Sequence, residues 1–262
     1  MIVYEGPSLW DGITPIVAIV TGLHRASENR KTGFMLQTWI LVKHMHPSEA
    51  LKFGEDEVIC GNCIHRPMNG HRSCYVGMMQ GPARVWNKYN AGGYPYVDPE
   101  EAGEICSGRK IRIGSYGDPA MVPANVWKKL IRYSALTTGY THQWRDMPTV
   151  YREFCMASCD TVQDVADAAA LGYRAFRVKT PEEDPLKDEV VCPASDEAGN
   201  LTQCERCGLC SGAKDSGSGV VPNIVITVHG RGAKYYRRER QSKEAHTADK
   251  MDQPYRHSCR TP

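Results

Sequence analysis

The chain reads as an α/β protein built on a partial parallel β/α barrel of the TIM type. Three observations predict this. Short apolar runs alternate with helical stretches from about residue 55 to residue 230. Six or seven such units fit in that span, the pace of parallel β/α repeats. The chemically unusual residues Cys60, Asp118, His142, Asp160, Cys192 and His229 fall at the carboxyl ends of the predicted strands, where such barrels carry their chemistry.

The elements follow in order. Residues 14–23 (TPIVAIVTGL) and 34–43 (FMLQTWILVK) are β-branched and apolar, with the polar, turn-rich HRASENRKTG between them. They predict a β-hairpin, an N-terminal appendage covering residues 1–50. The barrel is expected over 51–230. DEVIC (56–60) predicts a short strand leading into the first cysteines, and GPARVWNKYNAG (81–92) a helix stopped by glycine. KIRIGSYG (110–117) is a strand, followed by a helix in which Val126, Leu130 and Ile131 recur at helical spacing. GYTHQW (139–144) and EFCMASCD (153–160) are strands. In TVQDVADAAALG, Thr161 caps a helix and Gly172 stops it. YRAFRVK (173–179), EVVCPA (189–194) and NIVITVHG (223–230) complete the strands. A cysteine-rich loop joins the last two, and 231–262 is a basic, then polar, tail.

Composition narrows the function classes. With 262 residues and 41% apolar content the chain can bury a sizeable core. A net charge of +2 gives no global case for a nucleic-acid partner. No apolar run approaches the ~20 residues that span a bilayer, and the N-terminus lacks signal-peptide features. The expectation is a cytoplasmic protein with no membrane partner. In a reducing compartment, eleven cysteines at close spacings favour metal ligation over disulfides.

Two cysteine sets stand out. Cys192, Cys204, Cys207 and Cys210 form two overlapping C-x-x-C steps with a fourth thiol upstream. Four thiolates can close around an iron–sulfur cluster or zinc. In a zinc site, His229 can replace one of them. Cys60, Cys63 and Cys74 are three, and three protein ligands leave a metal position open. His65, His71 and Cys106 lie near enough in sequence to complete a structural zinc site instead.

The order of these motifs resembles that of radical S-adenosylmethionine enzymes. DEVICGNC and SCYV, with Tyr75 beside Cys74, resemble that family's three-cysteine loop. GSYGDP resembles its glycine-rich second-strand motif, and Ser158 and Asp160 in ASCD its Ser-x-Asp fourth-strand end. The spacing here is C-x-x-C-x-ten-C rather than C-x-x-x-C-x-x-C, and Asp118 stands for the usual Glu. The resemblance implies one or two iron–sulfur clusters, S-adenosylmethionine and an electron donor. It implies that Tyr75, Gly117, Asp118 and Ser158 hold the cofactor, with Asp118 on the methionyl amine. Asp160 and His142 join Asp118 and Ser158 as candidate catalytic residues. The chain also resembles cysteine-rich, phage-encoded proteins that share the CGxC, CYV, GDP and CxxCxxC strings, which implies the host cytoplasm.

Other readings stay open. Asp118 and Asp160, with a zinc site, resemble the nucleophile and base of queuine tRNA-ribosyltransferase-type transglycosylases that modify DNA or RNA bases. A third reading is a non-enzymatic zinc protein that binds nucleic acid or a protein partner. For nucleic acid, Arg231, Lys234, Arg237, Arg238 and Arg240 would meet phosphates while Tyr235 and Tyr236 stack on bases. Cys155 and Cys159 read as buried thiols, and Asp118 alternatively as a turn residue.

Overall fold

A computed structural model describes residues 1–24, 29–67, 71–213, 221–230 and 232–237. The fold is mixed α/β with two sheets. The first has the order β1–β2–β3–β4–β5: β1 (Ile2–Pro7), β2 (Pro15–Thr21), β3 (Leu36–Val42), β4 (Lys110–Tyr116) and β5 (Leu136–Thr138). The β1–β2 and β2–β3 pairs are antiparallel; β3–β4 and β4–β5 are parallel. The second sheet has the order β6–β7–β8–β10–β9 and is parallel at every pairing. It comprises β6 (Tyr140–Thr141), β7 (Met156–Cys159), β8 (Ala175–Lys179), β9 (Glu189–Val191) and β10 (Asn223–Thr227).

Gly139 alone separates β5 from β6. Its N–H points to the carbonyl of Cys210 at 3.4 Å, while its own carbonyl accepts from Met156 at 2.9 Å. A Cβ there would meet the Cys155 sulfur at 2.9 Å, so the step between the sheets needs a glycine.

The expected hairpin is present as β2 and β3. It is continuous with the parallel pairing, because β3 lies beside β4. Its strands are buried on both faces, which explains their unbroken apolar sequence. The main core gathers around β1–β4, with Trp127 and Leu130 of α5 (Ala124–Leu130) fully buried in it. A second core cluster joins Met35, Met156 and Ile224 to Cys192, Cys204 and Cys210. Helix α6 (Val162–Ala170) starts as its sequence indicates. Thr161 Oγ1 accepts from Asp164 N, and Asp164 returns a carboxylate to Thr161 N, each at 3.0 Å.

One element differs. DEVIC is not a strand: Glu57–Cys60 is a single helical turn, α2, following α1 (Pro47–Phe53). Cys60 N donates to Asp56 O at 3.0 Å and Gly61 N to Glu57 O at 2.6 Å. Four residues are too few for periodicity to decide, and a distant contact decides instead. Arg66 grips the Asp56 carboxylate with two N–H groups at 3.0–3.1 Å and holds the turn closed. The strand that precedes the cysteine loop is therefore β3. Helices α3 (Gly81–Asn90) and α4 (Pro99–Ile105) follow the loop, and only the first is legible as a helix in the sequence. Among the described residues, no helix is long and apolar enough to cross a membrane.

Candidate metal centres

The three-cysteine loop starts at the end of α2. Gly61, at φ +57°, turns the chain beneath the amide of Gln143, which a Cβ would strike at 2.5 Å. Cys63 N donates to Cys60 O and Arg66 N to Cys63 O, so the C-x-x-C step is a tight turn. Cys74 N then donates to His65 O at 3.1 Å, which folds the ten-residue gap back onto the first two cysteines. Burial pushes the Cys60 and Cys63 thiols well up. Asp56 and Cys74 add to this at Cys60, and Cys60 and Cys74 at Cys63. The three cysteines are each only partly buried, and thiols that raise one another's pKa suit a soft cation, which replaces their protons. Among the described residues the buried Tyr116 hydroxyl finds no hydrogen-bond partner, and its phenol is raised by burial and then by Cys60 and Asp56. A donor left over near Cys60 and Cys74 fits a group bound among the thiols.

Asp118 follows β4 and is locked in by the backbone. Its N–H donates to Ile59 O at 2.6 Å, tying the turn to the residue before Cys60. Gly117, at φ +78°, passes so close to β3 that a Cβ would sit 2.6 Å from Ile40 Cβ. The Asp118 carboxylate accepts from Ala120 N at 2.9 Å, Thr141 Oγ1 at 2.7 Å and His142 N at 2.7 Å. Burial raises its pKa to about 6 despite these bonds. Asp118 is thus a capping turn residue and a buried carboxylate at once. Tyr75 is exposed; its hydroxyl accepts from Arg112 at 2.8 Å and its ring lies 5.7 Å from that of His229.

At the end of β7, Ser158 is buried in register with Phe176, and its carbonyl accepts from Trp144 Nε1. Asp160 is fully buried. Its Oδ1 lies 3.0 Å from His65 Nε2, and His65 Nδ1 lies 2.8 Å from Ser73 Oγ. The His142 ring meets the His65 ring edge-on at 5.3 Å. One ligand atom each from His65, His142 and Asp160 fall within 4.8 Å of one another.

The four-cysteine set lies apart from this. Helix α7 (Cys204–Cys207) is one turn, ended by Gly208 at φ +69°. Cys204 N donates to Lys31 O, and Glu205 accepts from Phe34 N at 2.6 Å, so the β2–β3 loop positions α7. Arg174 ties down the rest by donating to the carbonyls of Leu209, Ser211 and Pro222 at 2.7–2.8 Å. Cys192, Cys204, Cys207 and Cys210 all line one narrow cavity, beside the buried Thr138 hydroxyl, which finds no hydrogen-bond partner among the described residues. Burial pushes Cys210 up to about 12, with the other three thiols adding to it and a bond from Tyr140 opposing. Among described residues, His229 does not line this cavity. It is partnered with Tyr75.

The remaining expectations separate cleanly. Cys155 and Cys159 are buried, and so is Cys106, raised to about 11 by burial. Cys259 lies outside the described residues, as do Arg231, Arg238 and Arg240. Lys234 lies over the Tyr235 ring, and Arg237 pairs with Glu182. Tyr236 is not a base-stacking residue: it is fully buried, donates to Val178 O at 2.6 Å and stacks on His65. Tyr235 stacks on His71. From sequence these rings read as a surface because their neighbours are basic. Tyr116, whose signal is only its place two residues before Asp118, and Arg66, three residues after Cys63, carry no motif that marks them.

No protein-family model, curated protein or solved structure matches the chain.

Proposed function

We propose that the protein is an iron–sulfur enzyme that uses S-adenosylmethionine, on a partial β/α barrel formed by the parallel strands from β3 to β9. The observation that carries this reading is the hydrogen bond from Asp118 N to Ile59 O. It joins the GDP turn to the three-cysteine loop at the carboxyl ends of parallel strands, where barrel chemistry is placed. A cluster with one iron unligated by protein supplies, when bound, an electron to the sulfonium of S-adenosylmethionine.

The chain's own residues do the rest. Cys60, Cys63 and Cys74 hold the first cluster, with Tyr116 donating toward it. Asp118, whose charge burial disfavours, gains from an ammonium group beside it. Tyr75, Gly117 and Ser158 shape the remaining cofactor surface. Cys192, Cys204, Cys207 and Cys210 hold a second, closed centre. A nucleic acid or nucleotide substrate would meet Lys234, while Arg237 is paired with Glu182, and the host cytoplasm supplies the electron donor. The burial and bonding of Asp118 and Asp160 suit holding better than attack, which favours this reading over a transglycosylase.

Anaerobically purified protein tests it. Iron and sulfide in stoichiometric amounts are expected, with release of 5′-deoxyadenosine on mixing with dithionite and S-adenosylmethionine. Colourless protein that carries only zinc overturns the reading, as does loaded protein that releases none.

A further inference from the structure

We infer that His65, His142 and Asp160 form a mononuclear site for a divalent first-row transition-metal ion that shares no ligand with either cysteine set. Two imidazoles and a carboxylate are the donor set of catalytic zinc and non-haem iron centres. Their ligand atoms lie within 4.8 Å of one another. Metal–ligand bonds of about 2.0–2.1 Å place neighbouring donors roughly 3.0–3.4 Å apart. His65 Nε2 and Asp160 Oδ1 are already at 3.0 Å.

The surroundings are those of a ligand shell. Ser73 Oγ, 2.8 Å from His65 Nδ1, can accept the Nδ1 proton and so support the tautomer whose Nε2 lone pair would face a cation in place of the Nε2–H bond to Asp160. Tyr236 stacks on the His65 ring at 5.5 Å, with planes 11° apart, and its hydroxyl reaches Asp160 O at 3.2 Å. Asp160 N donates to Asp164, which holds the end of β7, and His142 N donates to Asp118. Each donor comes from a different element: the cysteine loop, the residue after β6 and the residue after β7. A hydrogen bond between His65 and Asp160 needs no third donor, yet His142 is brought to the same point. Three protein ligands leave positions open, so the ion is a Lewis acid for a substrate oxygen.

The inference does not depend on the identity of the cysteine-bound metals. Manganese(II) is the probe, because thiolates select against it. Full-length protein, with its cysteine-bound metal in place, is titrated with manganese(II) and followed by electron paramagnetic resonance. One ion is expected to bind per chain, with nitrogen couplings from imidazole in the pulsed spectrum. His142→Ala and Asp160→Asn are each expected to weaken binding at least ~10-fold, and Cys106→Ala, outside both cysteine sets, to leave it unchanged. The pulsed measurement on unaltered protein stands even where a variant fails to fold. Absent binding, a bound ion without nitrogen couplings, or affinity that survives His142→Ala overturns the site. So does an equal loss in Cys106→Ala.

Discussion

The amide of Asp118 and the carbonyl of Ile59 meet at 2.6 Å, across 59 positions of sequence. Through this contact the glycine-rich turn after β4 and the first cysteine of the loop share one scaffold. The Asp118 carboxylate extends it to Thr141 and His142 at β6. A change at Asp118 is therefore felt at the cysteine loop and at the histidine–aspartate cluster together.

The raised pKa of Asp118 has a signed consequence. Its folded value of about 6 lies above the ordinary 3.8, so the folded state holds the proton more tightly. This stabilises the fold fully below the ordinary value and is lost as pH rises through about 6. The difference corresponds to about 3 kcal/mol. Asp118→Asn cannot ionise, so its stability relative to the unaltered protein should improve by about that amount between pH ~3 and ~7. Urea unfolding of both proteins across this range measures it, and a pH-independent difference would refute it.

Arg66 holds α2 shut through Asp56 and also donates to the carbonyls of Gly54 and Gly61. Arg66→Ala leaves the buried Asp56 carboxylate without its partner, which costs about 3 kcal/mol. Metal loading at Cys60, Cys63 and Cys74 should fall with it, while loading at the four-cysteine cavity persists. Metal analysis and thermal unfolding read the two effects separately. Arg66→Lys should rescue only in part, because an ammonium cannot reproduce the fork.

Arg177 and Glu189 are fully buried and joined by two bonds of 2.7 Å between β8 and β9. Glu189→Gln breaks a buried, charge-assisted pair and should cost roughly 3–5 kcal/mol by urea unfolding. The loss would separate a structural ion pair from the chemical sites, since neither group approaches the cysteines' cavity. A cost below about 1 kcal/mol, the range of surface pairs, would show that water reaches the pair.

The two cysteine sets should behave as independent centres. If both sets bind metal as proposed, Cys204→Ser is expected to abolish metal at the four-cysteine cavity and spare the loop, and Cys74→Ser to do the reverse. Cys159→Ser, in an apolar cluster with Trp144 and Val165, should change neither. Metal-to-protein ratios after desalting check this. Equal loss from both sets in every variant would mean one shared centre.

The sequence by itself determined strands β2–β4 and β6–β10, helices α3, α5 and α6, the caps at Thr161 and Gly172 and both cysteine groups. These are local: strand and helix periods, turn chemistry and C-x-x-C steps act within a few residues. Tertiary structure alone decided that DEVIC is a helical turn, because Arg66 reaches back to Asp56. It also decided that β3 joins β4, and that Tyr236 belongs inside while Lys234 and Arg237 do not. The meeting of His65 with Asp160 spans 95 positions. Sequence spacing carries no information across such a distance; the pairing of parallel strands and the return of the cysteine loop through Cys74 N and His65 O set it.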